Sequence, residues 1–382
     1  MILYISNATA YSIFDRQFRG GKIVTGYQMQ KFNSNIITGL GALEPVTALS
    51  CLPYEDVPAE RIDETIDGVR YLCIQNTAGK LHRFFNLFRL TTEGMAVIRR
   101  NRPRVILCDA YSLSPCLISR LLGTLFRIPV VGIITDLPGM LGAENNALSQ
   151  SMKRLQCFDG YIHLTQAMDP VVNPKKKPSM VMEGLSAMEL PEARKKAEKK
   201  IILYTGSLWK ELAGIEYLTE GFCQANLPDA ELHFYGTGEL VPWLEEMSRK
   251  NAAVRYMGCV TNEEIVKRQC EAALLVNPRP SQEEFCKYSF PSKTIEYMAS
   301  GTPVLMTRLP GVPKEYFDHV YSIDHETSDG ICRSLTEIFR KTDQERADFG
   351  AAAREFVATQ KSCAAQCGRI HRFLDTLTSS HT

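Results

Sequence analysis

Three polar residues in one short stretch, Ser292, Lys293 and Glu296, could together bind an anionic sugar compound. A serine hydroxyl and a lysine at the start of a helix offer donors and positive charge, which suit phosphate oxygens. Glu296 lies four residues after Ser292 on the same helical face, where its carboxylate can accept hydrogen bonds from two sugar hydroxyls. The spacing suits a nucleotide-sugar site, and it equally suits a capped helix with one solvated glutamate.

The residues around this cluster predict a short helix followed by a buried strand. Pro291 suits the first helical turn, because its fixed φ fits and its missing N–H would be unpaired there. Ser289 or Ser292 can cap the helix, and Gly301 suits the left-handed residue that follows a helix end. The run from Pro303 to Met306 is apolar, which is typical of a buried strand.

The composition limits the class of protein. A chain of 382 residues with 45% apolar and 23% charged residues is typical of a globular protein with two or three domains. A net charge of +1 argues against a dedicated nucleic-acid binder. The 12 cysteines show no spacing typical of a zinc site, so we expect no metal centre. With no signal peptide and no apolar run near the ~20 residues of a membrane span, we expect a cytoplasmic protein.

The first half of the chain alternates short strands and helices, which predicts a doubly wound α/β domain. Strands are expected at Ile2 to Ile5 and at Val46 to Leu52, with a long polar loop between the first strand and a helix that begins near Gly26. The continuous apolar run from Ile128 to Thr135 indicates a parallel strand covered on both faces, and Asp136 follows it directly.

A charged stretch from Leu190 to Lys200 has no core pattern, and the strand–helix alternation starts again at Ile201. We therefore predict an N-terminal Rossmann-like domain at residues 1–189, a linker at 190–200 and a second Rossmann-like domain at 201–352. Residues 353–382 are expected to form a C-terminal helix. Ligands of such open α/β sheets bind at the carboxyl ends of the strands.

The run at residues 290–305, FPSKTIEYMASGTPVL, resembles the donor-binding signature of the retaining GT-B glycosyltransferases of family 4. The resemblance covers most of the chain and is strongest over residues 201–312. It implies a GT-B fold, a donor in the C-terminal half, an acceptor mainly in the N-terminal half, and a last helix that crosses back to the first domain. In that family the second of two glutamates spaced eight apart contacts the nucleotide ribose. Glu296 matches it, and Tyr288 stands where the first glutamate is expected.

The resemblance implies further donor-site residues, and two of them depart from the family. Gly206 and Ser207 stand where the family has a glycine–arginine turn, and Ala213 stands at the place of a following lysine, so two diphosphate-binding cations are missing. Other basic residues could supply this charge: Lys210, Arg279, Lys287 and Lys293. Of these we favour Lys293 with Arg279.

Two more positions are suggested by the resemblance. The turn from Gly236 to Gly238 is similar to a Gly-x-Gly turn that often lies under the nucleotide base. Thr135 stands where the family often has a histidine that contacts the transferred sugar, so Asp136 is the preferred polar contact. Asp136 could equally cap the next turn.

The chemistry implied by the resemblance is transfer of a sugar from a nucleotide donor to a glycan or lipid-linked acceptor with retention of configuration. No DxD motif occurs, so we expect no metal and no cofactor, with cations and the helix start stabilising the leaving diphosphate. The candidate catalytic residues are Asp136, Lys293 and Glu296. Two alternatives stay open: a non-catalytic GT-B subunit that binds a partner enzyme, and a GT-B epimerase acting on the nucleotide sugar.

Residues 80–104 combine seven Lys or Arg with one acid, Glu93, and with a cluster of Phe and Leu. Such a segment suits either an anionic membrane surface or an ordinary helix that buries its aromatic side chains. We predict peripheral association with the inner face of the membrane through this segment.

Overall fold

The computed structural model describes residues 1–18, 27–52, 61–75, 80–138, 146–186, 199–210 and 214–379. Most of the predicted linker, residues 190–198, and also Ala213 lie outside the described residues. The chain divides into two compact units, and the first unit combines Met1–Leu185 with Cys363–Thr382. The second unit is Ser186–Ser362.

The first unit is built on an eight-stranded sheet in the order β3-β4-β2-β1-β5-β6-β7-β8. Its strands are β1 Ile2–Ser6, β2 Val46–Leu52, β3 Ile62–Ile66, β4 Val69–Gln75, β5 Val105–Asp109, β6 Val130–Ile134, β7 Gly160–His163 and β8 Ser179–Val181. Only β3 runs antiparallel to its neighbour among the described pairs. Strands β1, β5 and β6 are buried at every position, as expected for parallel strands covered on both faces.

Helices cover both faces of this sheet. They are α1 Tyr11–Phe18, α2 Tyr27–Gly41, α3 Lys80–Asn101, α4 Leu113–Phe126, α5 Asn146–Leu155, α6 Asp169–Val172 and, from the chain end, α13 Cys363–Ser379. The last of these packs against α2, where a Cβ on Gly39 would lie 2.5 Å from the Cys367 sulfur. Ile370 and Leu374 of α13 join the same core cluster as Ile36 of α2.

The second unit has a six-stranded parallel sheet in the order β11-β10-β9-β12-β13-β14. Its strands are β9 Lys200–Thr205, β10 Ala230–Tyr235, β11 Val254–Tyr256, β12 Leu274–Asn277, β13 Val304–Thr307 and β14 Tyr321–Ile323. Its helices are α7 Ile215–Ala225, α8 Val241–Lys250, α9 Asn262–Glu271, α10 Lys293–Ala299, α11 Ser328–Arg340 and α12 Asp343–Phe356, followed by a π-helical turn at Val357–Lys361.

The α/β class and the two parallel, doubly wound sheets predicted from the sequence are confirmed, and β2 has the predicted bounds. The expected long polar loop after β1 is wrong in part, because the helix Tyr11–Phe18 lies there and buries Ile13. The strand Ile62–Ile66 was not predicted. Its side chains are alternately exposed and half-buried at the sheet edge, so it lacks the apolar run of a central strand.

Candidate functional site

The centre of the second sheet is a point where the strand order reverses. From β9 the chain proceeds through β10 to β11 on one side, and later through β12, β13 and β14 on the other. Ligands of open α/β sheets bind at the carboxyl end of such a switch point. Gly206 follows β9, Gly236 follows β10 and Arg279 comes soon after β12, so three predicted site residues lie at this edge.

The predicted glycines form two interlocked turns that exclude larger side chains. Gly206 has φ +133°, and a Cβ there would lie 2.2 Å from Lys293 Nζ. A Cβ on Gly236 would lie 1.8 Å from the Gly206 carbonyl oxygen, and one on Gly238 would lie 2.3 Å from the Leu208 carbonyl oxygen. Gly206 N–H also donates to the Tyr235 carbonyl at 2.9 Å. The two glycine turns are therefore in direct backbone contact, as glycine alone permits.

Lys293 lies directly against the first glycine turn. Its ammonium group donates to the Thr205 carbonyl at 2.9 Å and to the Tyr204 hydroxyl at 3.2 Å, and it lies 4.5 Å from the centre of the Tyr204 ring. An ammonium has three N–H donors, and the described residues accept two of them. Burial, reinforced by the positive charge of Arg279 and opposed by Glu296, lowers the pKa of Lys293 to about 8. No local pattern around Lys293 indicated this environment.

Arg279 brings a second cation to the same edge. Its guanidinium donates to the Ser289 hydroxyl at 3.4 Å and lies 4.6 Å from the centre of the Phe285 ring. Its Nε and the side-chain nitrogen of Asn277 are buried and have no hydrogen-bond partner among the described residues. Buried polar atoms are normally satisfied, so unpaired donors at a switch point favour a bound ligand or water there.

Glu296 lies one turn into helix α10 and is half-buried. Its negative charge acts on Lys293, whose pKa it raises against the effects of burial and Arg279. Ser292 is exposed at the N-cap, and its side chain makes no capping hydrogen bond. Thr294 N–H donates to the Pro291 carbonyl at 2.8 Å, which places Pro291 in a tight first turn. Gly301 follows the helix with φ +75°, as its sequence position predicts.

Two tyrosines complete the turn after β9, and the sequence reasoning missed both. Tyr204 donates to the Ser207 carbonyl at 2.7 Å. The Tyr297 hydroxyl accepts from Thr205 N–H at 2.8 Å and donates to the Thr205 carbonyl at 3.1 Å. The one sequence signal for Tyr297 was its position directly after Glu296. A tyrosine at such a position usually belongs to the hydrophobic core, so this signal did not indicate a site residue. Together the two hydroxyls and Lys293 fix the backbone that carries Gly206.

The side chains of three predicted donor-site residues make none of these contacts. Lys210 is exposed, its ammonium is 3.6 Å from a Glu216 carboxylate oxygen, and its N–H donates to Glu239. Ser207 is exposed and contributes its carbonyl to Tyr204. Tyr288 is half-buried, and its N–H donates to the Phe285 carbonyl at 3.0 Å. The roles of these side chains stay predictions.

Asp136 belongs to the first unit, where it follows β6 and lines a cavity of about 310 Å³. The cavity walls also include Tyr111, Leu113 and Arg154. Partial desolvation raises the pKa of Asp136, although a hydrogen bond from Thr135 opposes the shift. Asp136 and the glycine turns therefore lie in different units.

A second carboxyl group, Asp109, ends the neighbouring strand β5 and was not predicted as a site residue. It is 3% exposed, and its two oxygens accept from the Ser112 hydroxyl at 3.0 Å and from Tyr111 N–H at 3.2 Å. Asn7, which follows β1, donates to the same Ser112 hydroxyl at 2.9 Å. Burial raises the pKa of Asp109 to about 6. This network marks the switch point of the first sheet, between β1 and β5.

Within the described ranges, no three His, Cys, Asp or Glu side chains converge as a metal site would require. The metal-free chemistry expected from the sequence stays a prediction. Across the same ranges, no helix has the length and apolar character needed to cross a membrane.

Comparisons with known proteins agree with this architecture. Residues 199–339, which lie within the second unit, match the family described as Glycosyl transferases group 1. No curated protein sequence matches the chain.

Solved structures resemble the whole chain at low identity. Sucrose-phosphate synthase from Thermosynechococcus elongatus has a TM-score of 0.67 at 13% identity, with 100% of each chain covered. HepE from Anabaena, in complex with UDP and glucose, has a TM-score of 0.65 at 11% identity, covering 98% of this chain and 100% of that one. The lipopolysaccharide outer core galactosyltransferase WaaB, in its apo form, has a TM-score of 0.63 at 13% identity, with coverages of 98% and 99%.

The chain therefore has the GT-B fold. Its second unit, which holds the glycine turns, Lys293, Arg279 and Glu296, contains the residues that match the glycosyl transferases group 1 family.

Proposed function

We propose that this protein is a glycosyltransferase that moves a sugar from a nucleotide-sugar donor to a glycan or lipid-linked acceptor. The observation that carries the proposal is the contact of the Lys293 ammonium with the Gly206 turn, close to Arg279. This contact lies at the switch point of the second sheet, within the residues that match the glycosyl transferases group 1 family. Two cations and closely approaching backbone at such a point suit a diphosphate.

The donor is proposed to bind in the second unit. Lys293 and Arg279 take the place of the two cations that the resemblance expects at Ser207 and Ala213. Gly236 and Gly238 leave backbone free of side chains for the base, and Glu296 accepts hydrogen bonds from sugar hydroxyls. The complex of HepE with UDP and glucose supports a nucleoside diphosphate as the kind of ligand.

The proposed reaction retains configuration and needs no metal. As the bond between sugar and diphosphate breaks, negative charge grows on the leaving phosphate, and fixed cations stabilise it most in the transition state. The departing phosphate oxygen takes the proton of the acceptor hydroxyl, so no protein base is assigned. Asp136 is proposed to contact the sugar or the acceptor, and Lys293 and Glu296 act on the donor.

The acceptor is proposed to be a saccharide, either free or lipid-linked, bound mainly by the first unit. The proposal includes a cytoplasmic location with peripheral association at an anionic membrane through residues 80–104. The exposed rings of Phe85 and Phe88 on α3 support this association, because a helix that serves only the core buries its aromatic side chains.

A non-catalytic subunit is the second candidate, favoured by Thr135, Ser207 and Tyr288 standing where the family has other polar groups. Two measurements on the purified protein separate the candidates. First, a thermal-shift screen of nucleotide sugars identifies the donor, since a ligand at a hundred times its Kd stabilises by about 2.7 kcal/mol. Second, slow hydrolysis of that donor without acceptor is expected of a transferase.

Each outcome of this pair is decisive. Stabilisation with hydrolysis supports glycosyl transfer. Stabilisation without hydrolysis or transfer to any acceptor supports the non-catalytic subunit, and conversion of the donor into another nucleotide sugar supports the epimerase. If no nucleotide sugar stabilises the protein, the proposed donor site is wrong.

A further inference from the structure

The last helix of the first unit begins with two cysteines one turn apart. Cys363 is the first residue of α13 and Cys367 follows four positions later, so both side chains lie on the same face of the helix. Their sulfur atoms are 3.9 Å apart, and both cysteines are free thiols in this structure. Cys363 is half-buried, whereas Cys367 is 0% exposed. One thiol of the pair is therefore partly open to solvent and the other is enclosed.

Helix α2 contacts both thiols at one place. The Cys363 thiol donates to the Asn35 carbonyl at 3.2 Å, and the Cys367 sulfur lies 3.8 Å from the Ile36 carbonyl oxygen. A Cβ on Gly39 would lie 2.7 Å from the Cys363 sulfur and 2.5 Å from the Cys367 sulfur. Both sulfurs therefore lie against the backbone of α2, and a larger residue at position 39 would displace them.

The environment of Cys363 favours the thiolate form. Cys363 lies in the first turn of a 17-residue helix, where N–H groups without a helical partner and the helix dipole stabilise negative charge. The hydrogen bond with the Cys367 thiol lowers the pKa of Cys363, although burial opposes this effect. The same hydrogen bond, together with burial, raises the pKa of Cys367. Cys363 is therefore the nucleophile of the pair, and Cys367 stays protonated beside it.

Core packing accounts for only one of the two cysteines. A buried free cysteine commonly acts as a small apolar residue, and Cys367 belongs to the same core cluster as Ile36 and Ile370. Cys363 lies at the edge of this cluster, at a helix start, with a second thiol in contact. Redox-sensing cysteines have this combination of a lowered pKa, access to solvent and a neighbouring cysteine that can resolve the oxidised form.

We propose that Cys363 and Cys367 are a redox-active dithiol that a hydroperoxide converts to a disulfide. The Cys363 thiolate attacks the terminal peroxide oxygen, so a sulfur–oxygen bond forms, the oxygen–oxygen bond breaks, and the leaving alkoxide or hydroxide takes a proton. The Cys367 sulfur then attacks the Cys363 sulfur. The sulfur–sulfur bond forms, and the sulfenic oxygen leaves as water with the Cys367 proton. The peroxide gains two electrons, and the two thiols lose them.

The disulfide requires the first turn of α13 to move. An S–S bond is about 2.05 Å long and joins Cβ atoms roughly 3.5–4.5 Å apart. Residues one helical turn apart have Cβ atoms about 5–6 Å apart. Cys363 can move because it begins the helix directly after Ser362, whose backbone is extended. Ile370 and Leu374 lie further along α13 and hold it in the core. Movement of one terminal residue is therefore sufficient for the bond to form.

Peptide mass spectrometry of the full chain tests the proposal, and it needs no nucleotide donor. Trypsin cleaves after Lys361 and Arg369, so both cysteines lie in one peptide, residues 362–369. Reduced protein is treated with hydrogen peroxide under native conditions, then denatured, alkylated and digested. The peptide is expected to lose both alkylation sites and two hydrogen atoms, and dithiothreitol added before alkylation should restore both sites. Cys259 is the matched control, because its thiol is exposed but lies in the loop after β11 rather than at a helix start.

Two variants separate the roles of the thiols. In Cys367→Ala, the sulfenic acid on Cys363 should persist and be trapped by dimedone, because no second thiol removes it. Cys363→Ser should leave Cys367 fully alkylated after the same peroxide treatment. The proposal is wrong if peroxide oxidises Cys259 while both cysteines of the wild-type peptide are still alkylated. It is also wrong if wild-type Cys363 proceeds to sulfinic acid while Cys367 is still a thiol, since the resolving step would then not occur.

Discussion

Replacing Lys293 by methionine should stabilise the fold while weakening diphosphate binding. Burial and Arg279 lower the pKa of Lys293 from 10.5 to about 8. At 1.36 kcal/mol per pKa unit, holding the charged form in the folded protein costs about 3 kcal/mol at neutral pH. Methionine keeps the length of the side chain without the charge. It loses two hydrogen bonds of about 1 kcal/mol each, so the free energy of unfolding should rise by roughly 1 kcal/mol.

The dependence on pH has a definite sign. Because the folded-state pKa is lowered, the unfolded chain binds more protons than the folded one between about pH 8 and pH 10.5. The free energy of unfolding of wild-type protein should therefore rise with pH through this window relative to Lys293→Met. Binding has the opposite trend. The Lys293 side chain loses its positive charge above its pKa, so the affinity for the diphosphate should fall about tenfold between pH 7 and pH 9.

Titration calorimetry with a nucleoside diphosphate and with its parent nucleoside measures the change in affinity. Denaturant titration measures the change in the free energy of unfolding. Lys293→Met should weaken diphosphate binding by roughly ten- to a hundredfold at pH 7 and remove its pH dependence, with little change for the nucleoside. Lys210→Met is the matched control, because Lys210 is exposed and paired with Glu216. Equal losses for both ligands, or an effect of Lys210→Met as large as that of Lys293→Met, would refute the assignment. A wild-type protein that binds no nucleotide would refute the proposed function instead.

Three further predictions follow from the same sites. Glu296→Ala should weaken binding of the donor by roughly ten- to a hundredfold in a calorimetric titration, while the thermal midpoint of the variant stays near that of the wild type. Unchanged donor affinity in the folded variant would show that Glu296 is not part of the site. Transfer activity should persist in excess EDTA, and complete loss that added metal restores would overturn the metal-free mechanism. Burial raises the pKa of Asp109 to about 6 from 3.8, so the folded protein binds the extra proton and its free energy of unfolding should fall as pH rises from 4 to 6. Asp109→Asn should abolish this fall in denaturant titrations, and parallel curves for wild type and variant would contradict the raised pKa.

Hydrophobic pattern was sufficient to predict the strands Ile2–Ser6, Val46–Leu52, Val130–Ile134 and Val304–Thr307. Runs such as Val130–Ile134 are buried on both faces, and a parallel strand of that kind is apolar along its whole length. The edge strand Ile62–Ile66 and the short helix Tyr11–Phe18 escaped prediction because each contacts the core on one side only. Their patterns are too short and too polar to distinguish from a loop.

The sequence by itself determined which side chains lie together at the start of helix α10, since Ser292 at the N-cap, Lys293 and Glu296 are separated by fixed helical spacing. Tertiary structure alone decided what Lys293 contacts. Its hydrogen bond to Thr205 joins residues 88 positions apart in the chain, and the Tyr297 hydroxyl reaches the same residue across 92 positions. Such contacts depend on β9 and β12 being neighbours in the sheet. No local pattern encodes strand order, because it results from how all the crossovers pack together.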